Sequence, residues 1–256
     1  MQAVGLTECG SRTAEAWRPL FESALARHLE HEPSGHDAHH ARRVCRIALQ
    51  LAASIDADAD IVEAAALLHD LGHHAGRQNH AERSAEIAKR LLDEAGFPES
   101  KREAVLECIR LHEWRPDRSG DPVRPSLEYQ AFADADRLDA LGAVGIARVF
   151  TFGGAHGRPI WEPDGTPTGA EPTGRFGPSS IQHFYDKLLL LPSGMYTTAG
   201  RALAQRRLKV IERFLKAFHA EWAGHDLAGG PDATERIHEA NGNSRRVPNP
   251  GRRQSL

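Results

Sequence analysis

The 256-residue chain is poor in cysteine, and its three cysteines, Cys9, Cys45 and Cys108, are far apart and form no CxxC pair. That pattern encodes neither a disulfide framework nor a thiolate zinc site, and a reducing cytoplasm is the expected compartment. Charge of one sign is missing too: the net charge is −3 and the pI about 6.6. No basic field is available to hold a nucleic-acid backbone, so nucleic acid is not an expected partner. No run approaches the roughly 18 consecutive apolar residues of a membrane span. The opening segment MQAVGLTECGSRTAEAW has neither the basic start nor the apolar stretch of a signal peptide. Internal repeats and convincing strands are lacking. What is present is a helical sequence, 40% hydrophobic, long enough to bury one full core.

The helices organise into one domain spanning residues 14–222, between a loose tail over 1–13 and a mobile tail, rich in Gly, Pro, Asn and Arg, over 223–256. A first helix is expected to end near Leu29. A second, capped by Asp37, runs to about Ser54, and a third runs from Ala59 to Leu71, closed at Gly72 by a left-handed turn. Asn79-His80-Ala81-Glu82 has the form of a capping box. Leu127 to Phe150 reads as one continuous helix. Residues 153–178, dense in glycine and proline, are too long for a simple connector and are expected to form a loop over the site. Ser179 or Ser180 then caps IQHFYDKLLLL, and a long amphipathic helix closes the domain.

Against this apolar background, a few polar residues stand on inward faces. Helix three is almost wholly alanine, leucine and valine up to His69-Asp70, which places that pair in or beside the core, where buried polarity needs a partner. His40 precedes Val44, Ile47 and Leu51 by four, seven and eleven residues, a stripe that turns its imidazole inward and His39 away. Asp136 follows Phe132 and precedes Ala140, again on an apolar side. One divalent cation would satisfy imidazoles and carboxylates together; a hydrogen-bonded core network without an ion is the alternative. His112, on one face with Val105 and Ile109, also points inward.

The order His, His-Asp, Asp resembles the signature of the HD superfamily of metal-dependent phosphohydrolases. The blocks GHDAHHARRV (35–44), EAAALLHDLG (63–72), HAERSAEIA (80–88), DADRLDALGAVGIARVF (134–150) and SSIQHFYDKLLLLP (179–192) are similar to its bacterial single-domain nucleotide pyrophosphohydrolases, over residues 33–222. The resemblance implies an all-α HD-domain bundle with additional C-terminal helices. It implies His40, His69, Asp70 and Asp136 as metal ligands, with Asp134 and Asp139 behind the site or facing solvent. Mixed nitrogen and oxygen donors suit Mn²⁺, the first expectation, as well as Fe²⁺, Ni²⁺, Co²⁺, Mg²⁺ or Zn²⁺.

The implied reaction is hydrolysis of a (deoxy)nucleoside triphosphate to monophosphate and pyrophosphate by a water activated at the ion, with Asp70 catalytic as well as ligating. A 5'-monophosphate phosphatase, a di-iron oxygenase and a non-catalytic nucleotide sensor are the alternatives. His73 stands where many family members carry a carboxylate, and it can move protons near neutral pH or be an exposed loop histidine. Arg77, His112, Arg158, His183 and Lys187 are candidates for holding substrate, and Phe184 is expected to pack in the core. A second ion near His80 and His112 is an open question. Monomer and homodimer are both compatible with the sequence.

Overall fold

The computed structural model describes residues 14–30, 32–73, 79–113, 125–162 and 179–226. Within them the chain is helical, with no strand. The order is α1 (Ala14–Leu29), α2 (Ala38–Ile55), α3 (Ala59–Leu68), α4 (His80–Glu94), α5 (Glu99–Leu111), α6 (Leu127–Asp139), α7 (Gly142–Ala155), α8 (Ser180–Asp186) and α9 (Thr198–Trp222), with a 3₁₀ turn at Leu188–Gly194. The all-α expectation is met. Two compact units divide the chain, residues 1–208 and 209–256. The second contains the end of α9, where Phe214, Phe218 and Trp222 stack at successive turns. Among the described residues no single helix is long and apolar enough to cross a membrane.

The first unit is built around α3, every residue of which from Asp60 to Leu68 is buried. A helix buried on all sides has to be surrounded, and α1, α2, α5 and α6 pack around it. Its two acidic residues are neutralised from neighbouring helices: Asp60 pairs with Lys101 and Glu63 with Arg18. Burial pushes the Glu63 carboxyl up, with Arg18 opposing the shift. The α2 helix starts at Asp37, whose side chain accepts from the His40 backbone N–H at 2.8 Å, as its sequence signature predicts.

Six local expectations are corrected. The third helix closes at Leu68, and residues 69–73 continue as turns. Gly72 does not supply a left-handed turn, since its φ is not positive. Its glycine is required by close approach: a Cβ would lie 2.7 Å from the His80 carbonyl oxygen, the Ser84 nitrogen and the Arg83 Cβ. Asn79 is itself left-handed and makes no capping hydrogen bond, so the capping box does not form. The segment 127–150 is two helices, bent by 69°, because Leu141 is extended (φ −112°, ψ 157°) and Gly142 takes φ +75°, neither of which the interior of a right-handed helix can absorb. The second of these, α7, continues to Ala155, so the start of the expected loop is helical; residues 163–178 lie outside the described set. Ser179 caps α8, which gives way to the 3₁₀ turn after Lys187 instead of running on through the leucines.

Candidate metal centre and cavity

Four side chains from three regions meet at one point. His40 comes from α2, His69 and Asp70 from the end of α3, and Asp136 from α6. His40 Nε2 lies 3.2 Å from His69 Nε2 and 3.4 Å from both Asp70 Oδ2 and Asp136 Oδ1. His69 Nε2 is 3.4 Å from Asp70 Oδ2 and 3.8 Å from Asp136 Oδ1. Donors about 2.1 Å from a shared ion sit roughly 3 Å apart when adjacent, so this spacing suits one cation.

Ring orientation is decided by what lies behind each histidine. The Nδ1–H of His40 donates to Asp139 at 2.8 Å, and the Nδ1–H of His69 donates to the Ala66 carbonyl at 2.9 Å. Neither acceptor can donate, so both Nε2 atoms turn bare lone pairs toward each other and toward two carboxylates. Such an arrangement requires a positive charge between them. In the absence of a metal a proton meets that demand: burial disfavours it, as does Arg148, but hydrogen bonds to Asp136, Asp139 and Asp70 outweigh both and raise His40 to about 10. Burial lowers His69. Burial also works against the Asp136 carboxylate, yet the hydrogen bond from His40 and the nearby histidine charges hold it well below the usual range. Asp70 behaves alike, with His69 and His36 as its main counter-charges. The donor set therefore fits a divalent cation.

The remaining histidines continue around Asp70. His36 Nδ1–H donates to Asp70 Oδ2 at 2.8 Å and stacks on His73, the ring centroids 4.3 Å apart. The other oxygen, Oδ1, faces His80 Nε2 at 3.8 Å and His112 Nε2 at 3.7 Å, which are 3.1 Å from each other. His112 Nδ1–H donates to the Ile109 carbonyl at 2.6 Å, which turns its Nε2 toward Asp70 and His80; burial lowers this imidazole's pKa, but the Asp70 carboxylate outweighs it and raises it. Among the described residues three groups could hold a metal ion: His40, His69 and Asp136; Asp70, His80 and His112; and His36, His40 and Asp70.

A cavity of about 130 Å³ opens beside these groups. Asp70, His73, His112 and Asp136 line it, and so do Arg158, His183 and Lys187. Arg137 and Arg148, two further arginines that the sequence offers as cations for a triphosphate, line it as well. The α7 contribution is one stripe, Gly145, Arg148, Val149 and Phe152, aimed inward by the bend at Gly142. Arg158 lies over the Phe152 ring. His73 is buried, with Nδ1 3.7 Å from Glu32, and not an exposed loop residue. Phe184 packs in the core as expected. Arg77 lies outside the described residues.

Sequence reasoning missed His36 and Glu32, which sit in the turn before α2. The available signals were their nearness to the Asp37 cap and, for His36, its place in the block 35–44. Neither Asp134 nor Asp139 faces solvent. Asp134 accepts from the Tyr196 and Thr197 backbone and from the Thr197 hydroxyl, and Asp139 stands directly behind His40.

Comparison with known proteins places this geometry in a family. The HD domain family model matches residues 37–141, and YpgQ of Bacillus subtilis is 35% identical over 216 residues, 84% of this chain and 96% of YpgQ. The chain belongs to the HD family. A protein of Lactobacillus plantarum shares 31% identity with a TM-score of 0.70, covering 82% of this chain and 98% of that one. An HD-superfamily hydrolase of Bacillus thuringiensis shares 33% with a TM-score of 0.61 over the same proportions. The structure of YpgQ in complex with ADP superposes with a TM-score of 0.62 at 29% identity, over 82% and 98% of the two chains. This chain is an HD-superfamily hydrolase.

Proposed function

We propose that this HD hydrolase cleaves (deoxy)nucleoside triphosphates to monophosphate and pyrophosphate, with His40, His69, Asp70 and Asp136 holding the divalent ion, Mn²⁺ first among the candidates. The observation that carries the reading is the pair of imidazole Nε2 atoms 3.2 Å apart beside two carboxylates, opening onto a cavity lined by Arg137, Arg148, Arg158 and Lys187. A cation at one end and guanidinium groups along the wall suit a polyphosphate. The ADP held by YpgQ supports a nucleotide.

When bound, the ion lowers the pKa of a water and neutralises phosphate charge, which permits attack at phosphorus near neutral pH. The residues do the rest. Asp139 and the Ala66 carbonyl fix the two ring orientations. Arg148, Arg158, His183 and Lys187 orient the anion, and the apolar faces of Val149, Leu188 and Leu191 narrow the space left for bulk water. His73, buried at the cavity wall, is placed to carry a proton.

A second ion is favoured by one observation. His80, His112 and Asp70 Oδ1 form a further donor group, so these three residues would hold a second ion. Measuring phosphate against pyrophosphate release from dATP, dGTP, ATP and AMP with Mn²⁺ tests the reaction. Pyrophosphate from triphosphates is expected. Phosphate from AMP alone would make the enzyme a monophosphatase, and no product from any of them would refute nucleotide hydrolysis.

A further inference from the structure

The four candidate ligands do not explain why two arginines converge on a carboxylate buried behind one of them. Asp139 is 1% exposed. Its Oδ1 accepts from Arg43 Nε at 2.8 Å. Its Oδ2 accepts from Arg43 Nη2 at 3.0 Å, from Arg148 Nη1 at 3.1 Å and from His40 Nδ1 at 2.8 Å. One guanidinium would balance the charge. Two, arriving from α2 and α7, leave the carboxylate a single rotation and one way to present Oδ2 to the imidazole.

Arg148 makes a further contact that Arg43 does not. Its Nε donates to the Gly35 carbonyl at 2.9 Å, in the turn that carries His36, and its side chain lines the cavity. The face of α7 that meets substrate is thus bonded to the carboxylate that orients a metal ligand.

We propose that Asp139, clamped by Arg43 and Arg148, is the positioning residue that holds His40 in its metal-binding orientation, and that Arg148 ties this clamp to the substrate cavity. The proposal rests on the reading of His40 as a ligand. A carboxylate behind a ligating imidazole fixes the ring and raises its basicity, and losing such a partner costs about 10–100-fold in metal affinity. Arg43 acts on the clamp alone, whereas Arg148 also touches the space that substrate enters.

The test is a Mn²⁺ titration of the metal-free full-length chain, with free Mn²⁺ read by electron paramagnetic resonance, alongside KM at saturating Mn²⁺. His40→Asn is the control for the underlying reading, and it should abolish tight binding. Asp139→Asn should weaken Mn²⁺ binding about 10–100-fold at parental helicity. Arg43→Met should weaken binding with KM unchanged, and Arg148→Met should weaken binding and raise KM. If His40→Asn binds Mn²⁺ like the parent, the ligand reading fails. If His40→Asn loses Mn²⁺ while Asp139→Asn binds within twofold of the parent, even with a lower Tm, the positioning role is overturned. Should Asp139→Asn not fold, parental affinity in both arginine variants overturns it instead. An unchanged KM in Arg148→Met refutes the link to the cavity.

Discussion

Replacing Asp136 by alanine removes one carboxylate from the donor group and nothing from the core, because its side chain is 23% exposed. In an effective dielectric of about 20, a unit charge at the 3.4 Å separating Asp136 Oδ1 from His40 Nε2 is worth roughly 5 kcal/mol. The proton on His40 loses that amount and a divalent ion loses about twice it. Since the two compete for one place, metal affinity falls by the difference, at most about 5 kcal/mol, or between three and four powers of ten. Water entering the vacated space screens part of this, so at least about a hundredfold is expected. Circular dichroism should report the parental helix content, Mn²⁺ titration should report the loss, and turnover should vanish at micromolar Mn²⁺. Affinity within threefold of the parent would refute the reasoning.

The same competition predicts pH dependence. His40 in the metal-free chain keeps its proton up to about pH 10, and the ion must displace it. Apparent affinity should therefore fall about tenfold per unit as pH drops from 9 to 7, and calorimetry in buffers of different ionisation enthalpy should show close to one proton released per ion; no release would contradict this. His73→Gln should slow turnover and flatten its pH profile while leaving metal content at the parental level, checked by stopped assays from pH 6 to 9. Asp134→Ala strands three donors from Tyr196 and Thr197 and should lower stability by about 3 kcal/mol, read as a lower midpoint in urea. Gly72→Ala would drive a Cβ to 2.7 Å from two backbone atoms of α4 and should destabilise by about 2 kcal/mol or more, measured the same way.

The sequence by itself determined which side chains face inward. Period and apolarity settle that for His40 with its stripe at Val44 and Leu51, and for His69-Asp70 at the end of a largely apolar helix, because a helical side chain's direction follows from its position in the repeat. The resemblance named Asp136, and the structure brings it within 3.4 Å of His40. Only the tertiary structure decided what stands behind and around these groups. Asp139 meets His40 across 99 residues, and Arg148 meets Gly35 across 113; no local pattern encodes contacts of that range. The bend at Leu141 and Gly142, which turns Arg148 and Phe152 to the cavity, depends on the backbone angles of two residues. Gly72 is a glycine for the sake of α4, eight residues further on. Helix faces are local properties of a chain, while ligand geometry, ring orientation and cavity walls arise where distant helices pack.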